Sequence, residues 1–302
     1  MELCDAIGKR QGASHYNIPS RPENPPGSTF ELEPIDEFID ILIECSTLLE
    51  RVDHFLEYGQ GGPEQSRRVG ELLLHSCLSL EKKLHNTCVK MQSKLGVPTP
   101  LPQNGPILKE FRSAIPMDFF SEPLQFPSLT CAESHLIYWT TLVLIYPLID
   151  QLLDFLGSSE SHIPSIPGCY TSVENETTTA HRNPSPPQIS VDFLALTDVY
   201  ASEICRSVAY CLQPNMKALG GQMLLAPLSQ STQFFQVQES IQKTKWCQAV
   251  FMYLSQIGFA IGFFLKDMVW PRYRSSQKRR SPTPPSTASV ETAAGSVDKS
   301  VL

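Results

Sequence analysis

The sequence predicts an all-α protein: a multi-helix bundle in two helical halves with a disordered N-terminus, central insertion and C-terminal tail. Three observations carry this. Apolar residues recur at three- and four-residue steps, no stretch alternates with period two well enough to outcompete a helix, and Pro/Ser/Thr-rich segments separate the apolar blocks. The boundaries that follow are a disordered lead-in over 1–33, a helical half over 34–156 and a disordered insertion over 157–189. A second half over 190–270 packs on the first, and a disordered basic tail covers 271–302.

The lead-in is closed by Pro19, Pro22, Pro25, Pro26 and Gly27, and it holds no apolar run like a signal-peptide core. Order begins near Pro34. Ile35, Phe38, Ile39, Leu42, Leu49, Val52 and Leu56 fall on one predicted helix face, with Asp36, Glu37 and Asp40 in the early turns, where the helix dipole favours negative charge. After Gly59, Gly61, Gly62 and Pro63 comes the cleanest helical pattern. Val69, Leu73, Cys77, Leu80, Leu84, Cys88, Met91 and Leu95 step by four, four, three, four, four, three and four, and Gly96 with Pro98 ends it. The short gap predicts an antiparallel helical hairpin, and intramolecular packing explains the stripe without a coiled-coil partner.

One short helix is expected around 107–115, then a long apolar helix from about Ser128 to Leu156, which Pro147 should bend or break. The stretch from Gly157 through Gln188, rich in Ser, Thr, Pro and Asn, is too long for an ordinary loop. The second half opens with a helix from about Val191 to Leu212. Pro214, Gly220 and Gly221 mark a loop, and Pro227–Phe235 and Val237 to about Val269 complete the helical content.

Cys247–Leu265 has 19 residues without a formal charge, close to a membrane-spanning length, with Gly258 and Gly262 at small-xxx-small spacing. Gln248, Ser255 and Gln256 interrupt it, so a buried core helix is the preferred reading and membrane insertion the lesser one.

Composition narrows the function. The net charge of −7 excludes a surface wholly devoted to phosphate backbones. Nine cysteines are an odd number, and Cys45, Cys77, Cys88, Cys131, Cys205, Cys211 and Cys247 sit within apolar helical patterns, as small buried hydrophobes do. A reducing compartment suits them. No C-x-x-C occurs, and Cys205 and Cys211, six apart, do not share a helix face. Among seven histidines, His75 pairs by spacing with Glu71 and His85 with Glu81, reading as polar pairs rather than metal sites; Glu50 and His54, four apart, miss the Glu-x-x-His of di-iron bundles. Nucleophile elbows, Walker loops and H-E-x-x-H are missing, and Gly59-Gln60-Gly61-Gly62 follows a helix, so it is a turn. Neither a catalytic residue, a cofactor nor a metal is expected.

Trp139 and Trp246, each a large apolar body with one N–H, are expected to anchor the helical core. Arg206, on an otherwise apolar helix, should pair with a carboxylate or cap a helix end, a ligand contact being the sharper alternative. Arg272, Arg274, Lys278, Arg279 and Arg280 gather after the last helix, a pattern suited to importin, nucleic-acid or acidic-lipid contact.

Four blocks carry a family resemblance: FPSLTCAESHLIYWTTLVLIY (Phe126–Tyr146), ASEICRSVAYCL (Ala201–Leu212), Gly220-Gly221 followed by Ala226-Pro227-Leu228, and KTKWCQAVFMYLSQIG (Lys243–Gly258). In order and spacing they resemble the region downstream of the DNA-binding element in fungal-specific binuclear zinc-cluster transcription factors, over roughly 35–270. There an aromatic pair like Tyr138-Trp139 precedes an apolar helix, and a block like Ile204-Cys205-Arg206-Ser207 leads through a loop to a proline and a late tryptophan helix. The resemblance implies a regulatory protein acting through protein contacts in the nucleus, its partner a complete factor or a second copy of itself. The family's six-cysteine, two-zinc DNA reader has no counterpart: Cys4 is the only N-terminal cysteine. No sequence-specific DNA binding of its own is therefore expected. An all-α enzyme of unrecognised type in secondary metabolism and a membrane-associated protein are the alternatives.

Overall fold

A computed structural model describes residues 34–59, 61–101, 115, 120, 122–157 and 191–269. The expected lead-in, the helix at 107–114, nearly all of the insertion and the basic tail lie outside the described residues. Among those described, seven α-helices and one small strand pair account for the fold.

Helix α1 (Pro34–Tyr58) carries Asp36 and Glu37 in its first turn. It buries Phe38, Ile41, Cys45, Leu48, Leu49, Val52 and Phe55. The face is rotated from the expected one: Ile39 is 39% exposed, and Ile41, Cys45 and Phe55 take the core positions. Helix α2 (Pro63–Leu95) starts on Gly62 with proline in its first turn, where a missing N–H leaves no bond unmade. It ends at Gly96, whose φ of 84° lies in glycine's region and whose N–H donates to the Gln92 carbonyl. Leu73, Cys77, Leu80, Leu84, Cys88 and Met91 form its buried stripe, each large aliphatic contributing about 1.5–3 kcal/mol on full burial.

A strand pair then closes the hairpin's open end. β1 (Thr99–Pro100) runs antiparallel to β2 (Leu124–Gln125), with Thr99 opposite Gln125 and Pro100 opposite Leu124. This clip brings the end of α2 to the start of α3 (Leu129–Gly157), where Ser128 Oγ accepts from the Cys131 N–H.

Helix α3 is central, packing on α1 and α2 from one side and on α4 (Phe193–Cys211) and α5 (Lys217–Val237) from the other. It is buried nearly all round, and its hydroxyls turn back onto the helix: Thr140 donates to the Leu136 carbonyl and Thr141 to that of Ile137. Pro147 does not break it; the helix runs unbroken to Gly157, held by neighbours along its whole length. By length and apolarity it is the one helix among the described residues able to cross a membrane, yet 72% of the relevant window is buried inside the protein.

Asp192 caps α4 by accepting from the Ala195 N–H at 2.8 Å. A single 3₁₀ turn (Pro214–Met216) leads into α5. Gly220 and Gly221, expected in a loop, lie inside α5 and are buried. Close approach explains them: a Cβ on Gly220 would sit 2.0 Å from the Cys211 carbonyl oxygen, and one on Gly221 would sit 2.5 Å from the Phe259 ring.

The apolar run at 247–265 is not one helix. α6 (Ile241–Gln256) ends before Gly258, whose φ of 111° turns the chain into the short α7 (Ile261–Leu265). The segment beyond is pinned by two buried-side amides: Gln233 Nε2 donates to the Met268 carbonyl at 2.5 Å and Gln248 Nε2 to that of Lys266 at 3.2 Å. The buried side chains of all these elements join in one core.

Candidate functional site

Five polar side chains from three helices meet between α2, α3 and α4. Glu81 and His85 stand one turn apart on α2, Tyr138 and Tyr146 come from α3, and Tyr200 comes from α4. The Tyr138 hydroxyl is 2.8 Å from His85 Nδ1 and the Tyr146 hydroxyl 3.4 Å from Nε2, with Glu81 Oε1 3.6 Å from the same Nε2. A proton on Nε2 satisfies both ring nitrogens: Tyr138 donates to Nδ1, and Nε2–H faces Glu81 and Tyr146. Tyr200 completes the group, its ring edge-on to Tyr138 at 6.0 Å and tilted to Tyr146 at 5.9 Å.

Burial keeps the cluster's three phenols and the adjacent Cys88 thiol in their neutral forms. Burial, reinforced by the neighbouring Tyr200 hydroxyl and Cys88 thiol, pushes the Tyr138 phenol far above its ordinary range. Burial and then the Glu81 carboxylate do the same to Tyr146. Burial also raises Tyr200, against hydrogen bonds from Tyr138 and Tyr146 that lower it. Cys88 is pushed up to about 11 by burial. At neutral pH these groups donate hydrogen bonds and offer no anionic nucleophile. The arrangement is a polar latch between helices.

A second aromatic group surrounds Trp139. Its indole lies 5.2 Å from the His135 ring and 6.2 Å from Phe126, which also contacts Tyr210 at 5.1 Å. His135 Nδ1 is 2.9 Å from the Cys131 carbonyl, so Nδ1 carries the proton, while Nε2 is buried without a partner. Burial lowers the His135 pKa, outweighing that backbone bond. Trp246 packs edge-on against Phe120 at 4.7 Å, its indole N–H also unpartnered. Beside it Lys243 lies over the Phe235 ring at 5.1 Å and reaches both Asp198 oxygens at 2.7 and 2.6 Å.

Arg206 extends across the sheet clip. Its Nε donates to the Glu122 carbonyl at 2.7 Å and its Nη1 to Glu203 at 2.5 Å, so α4 is tied to the residues before β2. The four anchor candidates are thus not one site: Tyr138 belongs to the latch, Trp139 to the Phe126 group, Trp246 to the Phe120 group and Arg206 to the clip. Lys278, Arg279 and Arg280 lie outside the described residues.

The latch was half legible in the sequence, from the i, i+4 spacing of Glu81 and His85. Tyr146, Tyr200 and the Lys243–Asp198 pair were missed, because each joins residues on different helices and no local spacing reports them.

Surface hollows add little chemistry. A groove of about 840 Å³ between α1 and α2 holds Glu37, Asp40, Lys83 and Lys90, but its charges answer one another: Lys83 meets Glu44 at 2.8 Å and Lys90 meets Glu37 at 3.5 Å. Among the described residues no three His, Cys, Asp or Glu side chains gather closely enough to hold a metal ion.

No model of a known protein family matches the chain, and neither does any curated protein or solved structure.

Proposed function

We propose that this chain is a regulatory protein of the fungal transcription-factor kind, acting in the nucleus through helix-on-helix protein contacts. The observation that carries the reading is the order and spacing of the four blocks from Phe126 to Gly258. Its support is physical as well. The blocks contribute Tyr138, Trp139, Arg206 and Trp246 to core and clip, and the polar latch holds phenols neutral rather than poised for catalysis. On this reading the chain has no enzymatic activity, and its partner is a complete factor or a second copy.

The test is to fuse the full chain to an unrelated DNA-binding domain and measure a reporter in a fungal host, beside zinc analysis of the purified chain. Expected are a reporter response that depends on the chain, no stoichiometric zinc and no salt-resistant specific DNA binding. Stoichiometric zinc with sequence-specific binding, or a reporter indifferent to the chain, would overturn the reading.

A further inference from the structure

α4 and α6 meet through two contacts in one register. Toward solvent, Lys243 Nζ of α6 donates to both Asp198 oxygens of α4 at 2.7 and 2.6 Å and to Ser202 Oγ at 3.3 Å. Cys247 follows Lys243 by one turn, and Cys205 follows Asp198 by two, so each sulfur shares a helix face with its side of the ion pair. The sulfurs lie 3.8 Å apart, and both residues are wholly buried. The Lys243 and Asp198 side chains, by contrast, stay 25% and 42% exposed. An ion pair at the edge therefore holds two thiols in contact behind it.

Thiols in van der Waals contact need to close by about 2 Å to form a disulfide, a movement of side-chain rotation and a slight helix shift. The two cysteines are 42 residues apart and α5 lies between them in the chain, so the bond would tie α6 to α4 around α5. Gln233 and Gln248 already fasten the residues after α7 to α5 and α6. One covalent link would thus fix everything from α4 to Met268 as a unit.

We propose that Cys205 and Cys247 form a redox-sensitive clasp: two thiols in the reduced chain, and one disulfide fastening α6 to α4 once peroxide reaches them. One thiolate attacks a peroxide oxygen, the O–O bond breaks, and the departing hydroxide takes up the thiol's proton as water. The sulfur is left as a sulfenic acid. The second thiol displaces its hydroxyl, forming the S–S bond and releasing a second water. Two thiols lose two electrons in all, and one peroxide becomes two waters. Burial and the adjacent Cys247 thiol keep Cys205 protonated, against the pull of the Lys243 ammonium, so the thiolate is scarce. The clasp consequently ignores brief exposure and closes under sustained oxidant. It is independent of the regulatory reading, since it involves α4 and α6 alone.

The test is to hold the full folded chain in hydrogen peroxide, block remaining thiols with iodoacetamide in urea, and digest with trypsin without reductant. Trypsin cuts after Arg206, Lys217 and Lys245, so Cys205, Cys211 and Cys247 fall on separate peptides. Expected is peptide 183–206 linked to 246–266, two hydrogen masses below their sum and parted by dithiothreitol. Oxidation also raises the urea midpoint by about 1 M. Cys205→Ala and Cys247→Ala, each checked for native helical circular dichroism, show neither the link nor the shift. Absence of the linked pair after hours in peroxide overturns the proposal. So does a link to Cys211 in its place, sulfonic acid at either sulfur without a link, or a midpoint shift that survives in both alanine variants.

Discussion

The Tyr138 hydroxyl stands 2.8 Å from His85 Nδ1, closing a bond between residues 53 apart in the chain and tying α3 to α2. Tyr138→Phe removes the donor but leaves His85, whose side chain is 37% exposed, free to take a water proton instead. The expected cost is about 1 kcal/mol, the net worth of one hydrogen bond. His85→Ala removes a partner from the Tyr138 and Tyr146 hydroxyls together and leaves them their bonds to Tyr200, so it costs more, about 2 kcal/mol. Urea unfolding with an unchanged m-value checks both; equal costs for the two variants would dissolve the latch.

His135 makes stability depend on acidity. Its pKa in the folded chain lies below the ordinary value of 6.5, chiefly through burial. The unfolded chain therefore binds the proton more readily, and stability rises with pH through this window. Its contribution is complete above pH 6.5 and is lost as pH falls toward the lowered folded value, by at most about 1.4 kcal/mol per pH unit. His135→Asn, which keeps a donor for the Cys131 carbonyl, should flatten that dependence below pH 6.5. Urea midpoints between pH 5 and 7.5 measure it, and an unaltered slope would assign the acid sensitivity elsewhere.

Cys205 Sγ and Cys247 Sγ lie 3.8 Å apart, joining α4 to α6 deep in the core. Burial, then the Cys247 thiol beside it, holds the Cys205 pKa well above its ordinary value; burial alone carries Cys131 to about 11 and Cys211 to about 12. All seven described cysteines are buried. Since the thiolate is the reactive form, iodoacetamide at neutral pH should leave all seven unmodified in the folded chain and alkylate them in urea. Mass spectrometry of digested protein reads this residue by residue. Rapid alkylation of Cys205 or Cys247 without denaturant would show that α4 and α6 part readily.

How much of this was legible in the sequence varies with how one-sided each helix is. α2 alternates apolar and charged faces, so Leu73, Cys77, Leu80, Leu84, Cys88 and Met91 were readable as core from spacing alone. α1 offers two overlapping apolar faces, and spacing chose the one containing Ile39, whereas contact with α2 and α3 selects the one containing Ile41 and Cys45. α3 is apolar all round, so its existence was plain but its neighbours were not. At α5 the glycines misled: a Gly-Gly pair reads locally as a turn, and only the nearness of Cys211 and Phe259 shows why glycine is needed within the helix. The same limit hid the latch, since Tyr146 meets His85 and Tyr200 meets Tyr138 and Tyr146 only after three helices have packed.

That account of α5 is itself open to measurement. Alanine normally stabilises a helix interior relative to glycine by up to about 1 kcal/mol. Gly220→Ala should do the reverse, because its Cβ would meet the Cys211 carbonyl oxygen at 2.0 Å and Met216 Cβ at 2.8 Å. The oxygen is backbone at the end of α4 and cannot swing aside, so α4 and α5 must separate at a cost of about 2–3 kcal/mol. Gly221→Ala meets the edge of the Phe259 ring, a side chain able to shift, and should cost less. Gly157→Ala, at the end of α3 with nothing within 4 Å, serves as the control and should be neutral or slightly stabilising. Urea unfolding of the three variants ranks them; a stable Gly220→Ala chain would mean that α4 and α5 do not approach as closely as their glycine contact requires.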